Sequence, residues 1–157
     1  MFHEVSGLLG HWFELKTETH TTDFVADEIE RGGYPEVQSN FKSKRIKIHS
    51  STSEQISQCY NLSMQHPGLS ISDVSVCLLA EELDAMLLTS DQPLEKIAKG
   101  RHINVHGTLW IFDQLISSKV LTPSMAAAKL QHLLNMDRYL PKEECRNRIK
   151  KWREVGS

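Results

Sequence analysis

The chain has 157 residues, 39% of them apolar and 24% charged, with a formal net charge of −2 at neutral pH. That length suits one domain with a core of its own, and the few glycines and prolines exclude a linker or a disordered tail. No apolar run approaches the roughly 18 residues of a membrane span, no secretory leader opens the chain, and Cys59, Cys77 and Cys145 are widely spaced, so a cytoplasmic protein with reduced thiols is expected.

Apolar residues at helical spacing from Phe2 to Leu15 predict an opening amphipathic helix. Thr17–Thr22 is short and β-prone, and Phe24–Arg31 predicts a helix stopped by Gly32-Gly33. Arg45–His49 alternates like a strand. Ser51-Thr52-Ser53-Glu54 and Ser70-Ile71-Ser72-Asp73 both have capping-box spacing and predict helices through Ile56, Cys59 and Tyr60 and over Asp73–Leu83. Ala85–Thr89 is an apolar run of strand length, with the composition of a strand buried on both faces. A helix through Leu94 and Ile97 follows, then a short strand at Ile103–His106. Helices over Leu109–Ile116, Pro123–Leu134 and from Pro141 through Trp152 complete the chain. Strands alternating with helices predict an α/β fold, a three-layer sandwich with a central, mostly parallel sheet, in a single domain over 1–157.

The charge is unevenly spread. Residues 1–40 hold eight acids and two bases, whereas the last twenty hold seven bases and three acids. Between them, Lys42, Lys44, Arg45 and Lys47 form a basic run without an acid, a candidate phosphate contact or an ordinary solvated face. The glycine motifs of dinucleotide and triphosphate sites, the nucleophile elbow and His-Glu-x-x-His are all absent. What remains is a set of carboxylates where an α/β fold puts its sites, at the carboxyl ends of strands. Asp91 follows the 85–89 run, Asp73 opens the helix before it, and Glu28 lies early in the helix after the first strand. Three acids meeting at one sheet edge would suit a hard divalent cation. Each also has a structural reading: Asp73 as part of a capping box, Asp91 as a helix cap, Glu28 as one solvated charge among Asp27 and Glu30.

The stretches Phe24-Val-Ala-Asp-Glu28-Ile, Leu69-Ser-Ile-Ser-Asp73-Val and Leu-Leu-Thr89-Ser-Asp91-Gln, with the later Val-His-Gly107-Thr108-Leu turn, resemble the PIN-domain family. The resemblance implies that Glu28, Asp73 and Asp91 are metal-binding and catalytic carboxylates with Thr89 or Ser90 beside them. It implies Mg²⁺ or Mn²⁺ as cofactor and single-stranded RNA as substrate, as in the VapC-type toxins whose partners are antitoxins. Phosphates would be met by Lys42, Lys44, Arg45 and Lys47 or by the Arg146–Arg153 helix. A homodimer contact would use the Trp152–Val155 tail.

One element of the family pattern is missing: the opening strand of the type Val-Ile-Asp-Thr-Ser, which is central in the family's sheet and carries its first aspartate. Leaving such a gap in a sheet costs about 1–3 kcal/mol for each buried unpaired group. Three readings stay open, a strand preceding Met1, a strand donated by another chain, and a PIN-like fold closed around fewer strands and catalytically inactive. The functional expectation is therefore a metal-dependent ribonuclease, or alternatively an inactive PIN-like interaction module. A small-molecule α/β binding domain whose carboxylates serve only as caps is the remaining alternative.

Overall fold

The computed structural model describes residues 8–136 and 140–156. Its contacts divide the chain into two compact units, Glu18–His106 and a second formed by Met1–Thr17 with Gly107–Ser157.

In the Glu18–His106 unit, β1 (Thr19–Thr22) runs into α2 (Asp23–Gly32), after α1 (Leu8–Glu14) of the other unit. The predicted stop of α2 is present: Gly33 sits at φ 70°, a left-handed conformation that glycine adopts without a Cβ penalty. Then come α3 (Pro35–Lys42), β2 (Ile46–His49), α4 (Ser53–Gln65), α5 (Ile71–Glu82), β3 (Leu87–Leu88), α6 (Gln92–Gly100) and β4 (Val105–His106). β1 pairs with β2 and β3 with β4, both parallel, with Thr19 opposite Ile46 and Leu87 opposite Val105. Parallel neighbours joined through helices make this an α/β arrangement. Among the described residues the ladders form two separate two-stranded sheets.

The strand expected over 85–89 is reduced to two residues. The N–H of Ala85 turns back to the carbonyl of Ala80, so only Leu87 and Thr89 donate to the neighbouring strand segment, at Asn104 and His106. Met86, placed by the sequence pattern in a doubly buried strand, is 43% exposed. One capping box is also displaced. Thr52, not Ser51, caps α4, with Gln55 completing the box, because Ser51 is bonded elsewhere. The box at Ser70 and Asp73 forms as expected.

Helix α5 is apolar on most of its circumference and is correspondingly buried. Its Val74, Cys77 and Ala80 meet Cys59, Leu69, Leu87, Leu94, Ala98 and Ile103 in one core. Full burial of a valine or leucine side chain is worth about 1.5–3 kcal/mol, which makes α5 the main anchor of this unit.

The second unit is helical. It comprises α1, α7 (Thr108–Ser117), α8 (Pro123–Met136) and α9 (Lys142–Val155), with α8 and α9 packed along each other. Phe112 of α7 lies 5.8 Å from Trp152 of α9 and Trp12 lies 6.4 Å from Trp110, centroid to centroid. Leu115, Leu121, Ala126, Leu130, Leu133, Cys145 and Ile149 are buried in this unit. Trp152 is therefore buried, while Val155, the other apolar residue of the expected contact, is 68% exposed. Phe2 and Val5, expected in the opening helix, fall outside the described residues.

Candidate functional site

The site is built where β1 passes into α2 and where α5 begins. Thr22 ends β1 and caps α2, its hydroxyl oxygen accepting from the N–H of Val25. The same oxygen is 2.7 Å from Ser75 Oγ. Ser75 has one hydroxyl hydrogen and donates it to the carbonyl of Ser72, so Thr22 is the donor between the two hydroxyls. Next to it, Asp23 accepts 2.7 Å bonds from both the N–H and the hydroxyl of Ser51, which tie the start of α2 to the end of β2. Partial burial raises the Asp23 carboxyl, but the bonds from Ser51 and from the Phe24 N–H outweigh it and hold the group below the usual aspartate range.

The three predicted carboxylates have distinct surroundings. Glu28 projects from α2 and accepts a 2.7 Å bond from the hydroxyl of Ser72 on α5. Asp73, the next residue, turns its Oδ2 to the N–H and hydroxyl of Ser70, at 2.9 and 2.8 Å, while Ser70 Oγ accepts from the Asp73 N–H at 3.0 Å. Asp91 caps α6 by accepting from the Leu94 N–H at 2.8 Å, and its own N–H donates to Thr89 Oγ1 at 3.1 Å. Glu28 and Asp73 are thus linked through Ser72, whereas Asp91 is held by its own turn.

Among the described residues, no group of three or more His, Cys, Asp or Glu side chains is gathered so that it could hold a metal ion.

Of the four expected phosphate contacts, Lys42 ends α3 and Lys44 sits at φ 57° in the turn before β2, both exposed. Arg45 precedes the strand, and Lys47 on β2 is paired with Glu18 at 2.6 Å. That bond from Lys47 is the chief reason the Glu18 carboxyl lies below its ordinary range. The sequence reading missed a cross-strand pair on the same ladder. His20 Nδ1 and His49 Nε2 are 2.8 Å apart, and His20 Nε2 lies 3.4 Å from Glu18. The signal was available in the alternation of both strands, since Thr22 opposite His49 puts His20 and His49 on one face. Burial raises the Cys59 and Cys77 thiols, so both stay protonated core groups.

A strand-to-helix turn and an opening helix, joined through hydroxyl–carboxylate bonds beneath parallel strands, define a protein of the α/β class with its polar groups at the strand ends. A family model described as PIN domain matches residues 4–154, nearly the whole chain, and the chain belongs to the PIN-domain family. No curated protein and no solved structure matches it. No helix among the described residues is long and apolar enough to cross a membrane.

Proposed function

We propose that this PIN-family chain works as an interaction module that does not itself hydrolyse a phosphodiester. What supports the reading is the local engagement of its carboxylates: Asp73 closes a capping box, Asp91 caps α6 and Glu28 is held by Ser72. Among the described residues these acids do not form a group of three or more on one ion, which is what the family resemblance implies for Glu28, Asp73 and Asp91. Under this reading the two strand pairs belong to one parallel sheet of a three-layer domain spanning 1–157.

A second reading is a Mg²⁺- or Mn²⁺-dependent ribonuclease with Glu28, Asp73 and Asp91 as metal-binding and catalytic residues, in the manner of a toxin paired with an antitoxin. Family membership favours it, as does the bond that joins Glu28 to the residue before Asp73. One oxygen each of Asp73 and Asp91 stands outside the capping bonds.

Incubation with single-stranded RNA and a thermal melt, each with and without millimolar Mn²⁺, decide between them. The module predicts intact RNA and an unchanged midpoint. An ion bound only by the native state, at 100 times its dissociation constant, would add about 2.7 kcal/mol and raise the midpoint by several degrees. Metal-dependent cleavage that disappears in an Asp73→Asn, Asp91→Asn double variant would replace the module with the nuclease.

A further inference from the structure

We propose that His20 and His49 form a binding site for a divalent ion of the Zn²⁺ and Ni²⁺ class, one that clips β1 to β2 and is separate from the carboxylates Glu28, Asp73 and Asp91. The two rings come from neighbouring parallel strands whose register puts Thr22 opposite His49 and His20 opposite Lys47. His20 and His49 are therefore diagonal neighbours on one face of the ladder, on backbone that the strand pairing holds in place. His20 Nδ1 and His49 Nε2 are 2.8 Å apart, and a single proton lies between them, because the nitrogen that donates needs a partner with a free lone pair. An ion that takes that proton's place meets two nitrogen ligands at once.

Tetrahedral coordination needs the rings to tilt rather than to travel. Their centroids are 5.1 Å apart. Zn–N bonds of about 2.0–2.1 Å at a tetrahedral angle would put them about 5.2 Å apart. Glu18 supplies the outer support that a metal-bound imidazole calls for. Its Oε2 lies 3.4 Å from His20 Nε2, and a carboxylate there favours the tautomer whose Nδ1 is free to ligate. Lys47, on the same face, is neutralised by the other oxygen of Glu18 at 2.6 Å. The His20 side chain keeps 23% of its surface open, which lets an ion enter and water complete the coordination. Imidazole suits Zn²⁺ and Ni²⁺, whereas Mg²⁺ and Mn²⁺ prefer carboxylate oxygens, so this site and a carboxylate site answer to different metals.

The test is a titration of the metal-free full chain with Zn²⁺ and with Ni²⁺, read by calorimetry and by the thermal midpoint. Both ions are expected to raise the midpoint by several degrees at saturation, since an ion bound only by the native state stabilises it, and excess Mg²⁺ does not displace them. Loss of an outer carboxylate partner costs about 10–100-fold, so Glu18→Gln is expected to weaken Zn²⁺ about tenfold and His20→Gln or His49→Gln by more. The His102→Gln, His132→Gln variant, which removes two exposed histidines elsewhere, keeps the parent affinity, as does the Asp73→Asn, Asp91→Asn variant. If a histidine variant melts below the metal-free parent, Glu18→Gln, which leaves both rings in place, decides instead. Co²⁺ gives a second readout: the strong visible absorption of a four-coordinate ion in the parent chain, lost in either histidine variant. No midpoint shift at millimolar Zn²⁺, parent affinity in both histidine variants, or loss of Zn²⁺ binding in the Asp73, Asp91 variant would overturn the proposal. RNA cleavage with Mn²⁺ decides the carboxylate readings separately, so each can fail without the other.

Discussion

The two units of this chain are held together by different means. Met1–Thr17 with Gly107–Ser157 relies on apolar helix faces, where Phe112, Leu115, Leu130, Cys145, Ile149 and Trp152 are all buried and Phe112 meets Trp152. Glu18–His106 has an apolar core too, but the starts of its helices are fixed by short polar bonds: Thr22 to Ser75, Asp23 to Ser51, Glu28 to Ser72 and Ser70 to Asp73. The difference teaches where a carboxylate in an α/β fold is structural. An acid whose oxygen satisfies an N–H at a helix start is already performing work the backbone requires.

Substitutions should separate the two modes. Phe112→Ala deletes a fully buried ring against Trp152 and is expected to lower unfolding free energy by about 3–5 kcal/mol, read from urea melts. A loss well under 2 kcal/mol would mean that the helical unit collapses onto the gap rather than depending on the ring. Ser70→Ala removes the cap of α5 and half of its capping box, with an expected loss of about 1 kcal/mol. No measurable loss there would show that the polar bonds of this unit are ornamental and its apolar core sufficient.

The smallest effect concerns pH. Because the Asp23 carboxyl is held below its ordinary value in the folded chain, the unfolded state binds the proton first. Its contribution is complete above the ordinary aspartate range, near pH 4, and fades as pH falls through the lowered folded value. Asp23→Asn should therefore flatten the stability profile below about pH 4 and leave its shape unchanged above pH 6. A steeper acid limb in the variant would reverse the sign of the argument.

The elements of the chain were legible where one local rule governed them. Gly33 had to end α2, Ser70 and Asp73 had to open α5, and Pro123 and Pro141 had to stand at helix starts, because caps and turns are set by neighbours a few residues apart. Helix α3 gave little warning, since Tyr34 caps it without a side-chain bond and only Pro35 marks its first turn. The strand at 85–89 looked longer than it is because composition reports burial but not the turn that takes the Ala85 N–H.

For the site, the sequence by itself determined which acids stand at helix starts and strand ends, and so the family likeness that the match over 4–154 bears out. Only the tertiary structure decided what those acids touch. That Ser51 binds Asp23 rather than capping α4, that Ser72 meets Glu28 across two helices, and that His20 meets His49 across two strands are contacts between residues 28 to 44 positions apart. Such contacts depend on how helices and strands pack, and no local spacing encodes them.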